Sequence, residues 1–198
     1  MSLYFKLKPR LPEFNIKLVT LDNLSHYENI FYCNQEYFLI TDGRLATKQD
    51  CIETIEYGKN FPEDMYYCIG FSLKGESVAL LSVFEGYPES DTLYIGLFLM
   101  NEKFKRKSIG TKIISSLIDE SFNAQYNSIK LSVQDNNISG CSFWRKLGFK
   151  VTQKYDCDNF CNLSMELKKD TWNIFARVQI PPVKSQKYLF HAALTTGT

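Results

Sequence analysis

Five cations crowd one short stretch of the chain: Lys103, Lys105, Arg106, Lys107 and Lys112. Ahead of them, Leu93 to Met100 is an unbroken apolar run bounded by the turn-forming segments GYPESD and NEKFKRK, and it reads as a fully buried strand. Behind them, Ile109, Ile113, Ile114, Leu117, Ile118 and Phe122 recur at the spacing of an amphipathic helix. The first N–H groups of a helix lack intrahelical partners and carry a partial positive charge. A loop rich in Lys and Arg that feeds such a start is therefore an anion site. Isolated lysines would be read as a solvated loop, but their position before a helix makes this stretch a cradle for a pyrophosphate. Nucleic acid is not expected, because Phe104 is the only aromatic residue interleaved with the charges.

The elements that must position this loop can be read in chain order. Residues 1–13, with Pro9 and Pro12, read as an ordered lead-in or a loose arm, and Phe14 to Val19 alternates as a first strand. Leu24, Tyr27, Ile30, Phe31 and Phe38 follow helical spacing over Asp22 to about Phe38, with Asp22 as the cap and Thr41-Asp42-Gly43 as the break. Thr47 and Asp50 form a capping box for a second helix through Cys51, Ile52 and Ile55. Tyr66 to Leu73 and Glu76 to Phe84, joined by Lys74-Gly75, read as a hairpin. Beyond the central helix come a short strand over Ser128 to Val133 and a helix from Asn137 to Leu147 that ends at Gly148. A second hairpin follows, from Phe149 to Tyr155 and Phe160 to Leu167. The fold class is α/β in the broad sense (α+β), with antiparallel hairpins on both sides of a β-α-β-α core.

With 198 residues, 44% apolar and 15% aromatic, the chain can bury a core without staples. A net charge of +1 provides no overall field for nucleic acid or an anionic membrane. No apolar run approaches a membrane span and the first ten residues lack a signal-peptide core, so a soluble, cytoplasmic protein is expected. In that compartment the six scattered cysteines behave as small apolar residues. Cys157 and Cys161 are flanked by Asp156 and Asp158, but no second ligand pair accompanies them and only His26 and His191 exist, so no metal is expected.

Two blocks of sequence carry a resemblance. Lys105-Arg106-Lys107-Ser108-Ile109-Gly110 is similar to the Q/R-x-x-G-x-G/A loop of the GNAT superfamily, the Gcn5-related N-acetyltransferases, with Lys105 in place of Gln or Arg and Ser108 in place of the first Gly. Asn137 to Phe149 (NISGCSFWRKLGF) resembles the N-x-x-A-x-x-F/L-Y/W-x-K-x-G-F segment of the same family, at the expected distance downstream. The resemblance covers roughly Phe14 to Lys168. It implies one domain over 14–168 with a mostly antiparallel central sheet flanked by helices, in the order β-α-α-β-β-β-α-β-α-β-β. Residues 169–198 are then an unassigned C-terminal extension.

The resemblance also implies roles. The loop Lys105, Arg106, Lys107, Ser108, Ile109, Gly110 and Thr111 would hold the pyrophosphate of acetyl-coenzyme A. The backbone of Phe98, Leu99 and Met100 would pair with the pantetheine arm and the acetyl carbonyl. Asn137 would contact the coenzyme arm, although its type and position also suit a plain helix N-cap. Trp144 stands where many relatives have the Tyr that protonates the departing thiolate, and an indole N–H has no useful acidity. Tyr94 stands where histone-type relatives carry a Glu base, with Glu85 and Tyr87 the nearest other candidates. Tyr32, Glu36, Tyr37, Asp42 and Arg44 are expected near the substrate mouth.

Two functions follow as alternatives. One is acetyl transfer to a primary amine of a small molecule or peptide. The other is a coenzyme-binding or interaction module that has lost chemistry. The apolar residues of 170–198, among them Trp172, Ile174, Phe175, Tyr188, Leu189 and Phe190, are too many for a solvated arm. They suggest two short pieces on either side of Pro181-Pro182, buried either on the protein's own sheet or, as the preferred reading, against a neighbouring subunit in a homodimer.

Overall fold

A computed structural model describes residues 2–62, 64–157 and 160–173. Seven strands form one sheet: β1 (Asn15–Leu18), β2 (Tyr66–Leu73), β3 (Glu76–Glu85), β4 (Thr92–Met100), β5 (Ser128–Gln134), β6 (Lys150–Cys157) and β7 (Phe160–Lys168). Their order is β1-β2-β3-β4-β5-β7-β6, and only β4 and β5 run parallel. This is the mixed, mostly antiparallel sheet expected from the sequence. The β2–β3 hairpin closes at Leu73↔Glu76 through Lys74 (φ 52°) and Gly75 (φ 83°), the two left-handed residues that a tight reversal of this twist requires.

The helices are α1 (Leu3–Arg10), α2 (Glu28–Tyr32), α3 (Gln35–Asp42), α4 (Lys48–Glu56), α5 (Ile109–Asn123) and α6 (Ile138–Lys146). They cover the sheet unequally. On one face α1, α5 and α6 share a core with Leu93, Ile95, Ile129, Leu131 and Met165. On the other, the α2–α4 region packs Ile30, Phe31, Phe38 and Cys51 against Cys68, Leu80 and Leu99.

Three sequence expectations need correction. The first ten residues are neither a lead-in nor a loose arm: Leu3, Tyr4 and Leu7 are buried on one side of α1, whose spacing the two prolines obscured. Arg10 pairs with Glu120 and Lys112 with Glu13, each at 2.5 Å, which ties this N-terminal segment to α5. The helix expected over Asp22 to Phe38 is instead a 3-10 turn (Leu21–His26) followed by α2 and α3. Its cap is Thr20, whose N–H donates to Asn23 Oδ1 (3.1 Å), not Asp22. Finally, residues 169–173 continue as a helix, and Trp172 enters the domain's own core, donating to Asp119 Oδ1 (2.8 Å). The packed unit thus reaches beyond Phe14 to Lys168 at both ends. The division of the extension around Pro181-Pro182 falls outside the described residues.

Candidate active site

The parallel pair that organises the sheet is short. β4 and β5 pair only from Thr92↔Ser128 to Ile95↔Leu131. Beyond that point each strand keeps its other neighbour, β4 pairing with β3 as far as Met100↔Ala79 and β5 with β7 as far as Gln134↔Asn162. The two strands therefore part, and a cleft opens between their C-terminal halves. A bulge marks the point of departure: Ser82 faces Leu97 and Val83 faces Ile95, leaving Gly96 as the extra residue. Glycine is needed there, since a Cβ would sit 2.8 Å from Ser82 Oγ and 2.9 Å from the Phe84 ring.

The parting corrects one reading of the sequence. Leu93 to Met100 is not a fully buried strand; Gly96 is exposed and Leu97, Phe98 and Met100 are half-buried, because they line the cleft. Antiparallel alternation tells which backbone groups face it. The Asn101 N–H donates to the Val78 carbonyl (2.9 Å), so Leu99 and Leu97 also turn toward β3, whereas Phe98 and Met100 turn toward the cleft. The Met100 carbonyl accepts from Asn34 Nδ2 (2.8 Å). Of the three residues expected to present backbone to the cleft, Leu99 instead presents it to Leu80.

At the mouth of the cleft the chain turns into α5. Lys105 is extended, while Arg106 (φ 58°) and Ser108 (φ 59°) are left-handed. Left-handed residues in such a turn suit an anion nest, and Ser108 adopts a conformation that a glycine would take freely. The first α5 bond runs from the Lys112 N–H to the Ser108 carbonyl (3.0 Å), so the N–H groups of Ile109, Gly110 and Thr111 lie ahead of it. Gly110 lets the helix start meet β4, since a Cβ would lie 2.5 Å from Met100 Sδ and 3.5 Å from the Phe98 ring. Lys105 bonds Glu102 (2.6 Å) and Lys103 bonds Glu76 (2.5 Å). Arg106 and Lys107 make no ion pair within 4.0 Å among the described residues and remain available to an anion, though Arg106 is close enough to Glu102 to help Lys105 hold that carboxyl below the ordinary range.

The remaining predicted residues separate into groups. Asn137 caps α6, its Oδ1 accepting from the Gly140 N–H (2.9 Å). Trp144 is buried among Phe98, Phe143 and Phe149, with ring centroids 4.9–6.3 Å away. Tyr94 lies on the opposite face, edge-on to Tyr87 (5.8 Å) and near Phe84 (6.2 Å). Burial, and then the phenols of Tyr87, Tyr57 and Tyr155, raise its pKa. Glu85 lies opposite Leu93, at the end of β4 away from the cleft, and is engaged: Oε1 accepts from the Leu3 N–H (2.8 Å) and Oε2 from the Tyr126 hydroxyl (2.9 Å). Burial raises its pKa against both of those bonds.

Of the mouth residues, Tyr32, Glu36 and Asp42 are exposed, and Tyr37 is largely enclosed, its pKa pushed up to about 12 by burial. Arg44 is engaged elsewhere: its guanidinium forks onto Asp50 at 2.6 and 2.9 Å, completing the α4 cap. Two residues at the cleft were not singled out from sequence. Asn34 interrupts the apolar stripe of Tyr27, Ile30, Phe31 and Phe38, which was the one signal available; Gln134 continues the polar set of Lys130 and Ser132 and gave no signal. Among the described residues no group of three or more His, Cys, Asp or Glu side chains is placed to hold a metal. Nor is any helix among them long and apolar enough to cross a membrane.

Solved structures share this fold at low identity. An acetyltransferase from Thermus thermophilus superposes with a TM-score of 0.63 at 18% identity, over 78% of this chain and 96% of that one. The aminoglycoside acetyltransferase AAC(6')-Ib in complex with coenzyme A gives 0.61 at 15%, over 81% and 98%. The PaiA N-acetyltransferase from Thermoplasma acidophilum in complex with coenzyme A gives 0.57 at 14%, over 78% and 98%. No curated protein matches the sequence. The acetyltransferase (GNAT) family model matches residues 28–149, well over half of the chain and the whole stretch from α2 to the end of α6. The parted strands, the nest before α5 and that match together make this chain a member of the GNAT family of N-acetyltransferases.

Proposed function

We propose that the protein transfers an acetyl group directly from acetyl-coenzyme A to a primary amine of a small molecule or peptide. The parting of β4 from β5 beside the left-handed loop at Ser108 is the observation that carries this reading. It supports a division of labour. Arg106, Lys107 and the N–H groups of Ser108 to Thr111 take the pyrophosphate, and Lys105 contributes by exchanging Glu102 for it. The outward backbone of Phe98 holds the acyl arm and polarises the carbonyl, so catalysis rests on alignment and fixed donors.

The amine nitrogen attacks the thioester carbonyl carbon, the C–S bond breaks, and the thiolate leaves with the electron pair. The proton shed by the nitrogen ends on the thiol by way of solvent. Trp144, enclosed by aromatic rings, takes no part in that transfer. Tyr94 stays a neutral phenol because its pKa is raised, so it orients water or the amine rather than abstracting a proton. Tyr87 supports the Tyr94 ring, and Glu85 holds α1. Tyr32, Glu36 and Tyr37 border the acceptor entrance. A homodimer through residues 174–198 belongs to the proposal, supported by their apolar side chains. Light scattering of a chain cut after Asn173 tests it, and an unchanged mass would remove it.

Thiol release from acetyl-coenzyme A across a panel of primary amines tests the main reading. Release that depends on an amine is expected. Tight coenzyme binding without release for any amine would leave the alternative of a binding module.

A further inference from the structure

One helix is tied to both arms of the cleft. At the start of α3, Asn34 is buried and its Nδ2 donates to the Ile30 carbonyl (2.6 Å) and to the Met100 carbonyl (2.8 Å) at the end of β4. At the other end, the Thr41 carbonyl accepts from Gln134 Nε2 (3.3 Å) at the end of β5. Because β4 and β5 start in parallel register at Thr92↔Ser128, Met100 and Gln134 are both at the open end of the cleft. From Gln35 to Asp42, α3 therefore spans the gap between the parted strands, on the face away from α5.

The two ties are unequal. Asn34 makes two short bonds in a buried site. Gln134 makes one long bond, and its Oε1 is buried without a donor. The amide cannot be reversed to satisfy that oxygen, since the Thr41 carbonyl demands an N–H. A buried acceptor left unpaired offsets much of what one neutral hydrogen bond contributes. The Thr41 end is thus weakly held and the Asn34 end firmly held. Next to the weak end, Gly43 is left-handed (φ 67°) with open space around it, so it can absorb a change in backbone direction.

We propose that α3 is a strap across the acceptor side of the cleft, hinged at Asn34 and latched by Gln134, and that Gln134 sets which amines enter. The inference rests on the acetyltransferase reading for its substrate and on the two ties for its geometry. With the latch closed, Tyr37 and the α3 backbone narrow the entrance to slim, unbranched primary amines. Lifting the Thr41 end admits branched ones. Gln134 is a positioning residue: it acts through α3, not on the acetyl group.

The test compares wild type with Gln134→Leu and Gln134→Glu, both of which lose the N–H donor. Hydrogen exchange over residues 35–42 is expected to speed up several-fold in both, with coenzyme A affinity unchanged in calorimetry. The ratio of kcat/KM for a branched to a linear primary amine should rise about tenfold. In Gln134→Glu, lowering the pH through the carboxyl pKa should slow the exchange relative to Gln134→Leu at the same pH, beyond the slowing that acid imposes on every amide, because the protonated acid can donate to Thr41. Unchanged exchange in both variants would overturn the strap, whether or not any amine is acetylated. Faster exchange with an unchanged selectivity ratio would overturn the role of Gln134 in acceptor choice. Absence of turnover with every amine, in wild type as well, would count against the acetyltransferase reading while the exchange data still decided the strap.

Discussion

At Ser108 a side chain occupies a backbone conformation that glycine adopts without penalty (φ 59°). The left-handed region costs a non-glycine residue about 1 kcal/mol. Ser108→Gly is therefore expected to raise the thermal midpoint by a few degrees and to leave coenzyme affinity the same or better. Weaker coenzyme binding in calorimetry would instead give the hydroxyl a role in the anion nest. Glu85 provides a second single-residue test. Its carboxylate serves the Leu3 N–H and the Tyr126 hydroxyl at the far end of β4, so Glu85→Gln should leave the rate of thiol release within about twofold of wild type. Loss of a general base would cost about a hundredfold or more. Neither point could be read from composition. Ser108 appeared only as a departure from a pattern, and Glu85 became distant from the cleft only once its register with Leu93 was known.

At the scale of elements, the start of α5 and the cap of α4 make separate predictions. Gly110 is where α5 approaches Met100, and its N–H lies ahead of the first helical bond. Gly110→Asp puts a carboxylate into the anion site and crowds Met100. Coenzyme A should bind at least tenfold more weakly in calorimetry, a loss of about 1.4 kcal/mol; equal affinity would remove the loop from the site.

In α4 the Arg44 guanidinium, helped by the Thr47 hydroxyl and N–H, holds the Asp50 carboxyl well below the usual carboxylate range despite its burial. Folding therefore favours the ionised form. The stabilisation is present above the ordinary carboxylate pKa of about 4 and is lost as the pH falls below it toward the folded value. Asp50→Asn should cost about 1–2 kcal/mol at neutral pH and lose less stability than wild type when acidified. Melting curves of the two proteins across that window check both statements. The Thr47 and Asp50 pattern was legible because a capping box is local. The break between α2 and α3 was not, because the Asn34 amide that fixes it bonds a residue far away on β4.

For the molecule as a whole, local periodicity carried the separate strands, both hairpins, α5 and α6, while the single sheet they form came from the family resemblance. What it could not carry was the parting of β4 and β5. Leu93 to Met100 is apolar throughout, and an apolar run looks the same whether it lies beneath another strand or lines a cleft. Only the pairing, which ends at Ile95↔Leu131, distinguishes the two. The N-terminal helix was hidden by Pro9 and Pro12. The proposed coenzyme loop was visible early because charge and helix start coincide in sequence, whereas the proposed acceptor side draws on α3, β5 and the tyrosines around Tyr94, which are far apart in the chain.

The central claim is direct transfer within that cleft, without an acetylated protein intermediate. Its most direct measurement mixes acetyl-coenzyme A with excess enzyme, without and then with a primary amine, and follows free thiol and the mass of the intact protein. Direct transfer predicts no thiol and no acetylated protein until the amine is added, and then one acetylated amine for each thiol. Thiol released before the amine, with the acetyl group on one of the protein's own side chains, would contradict it.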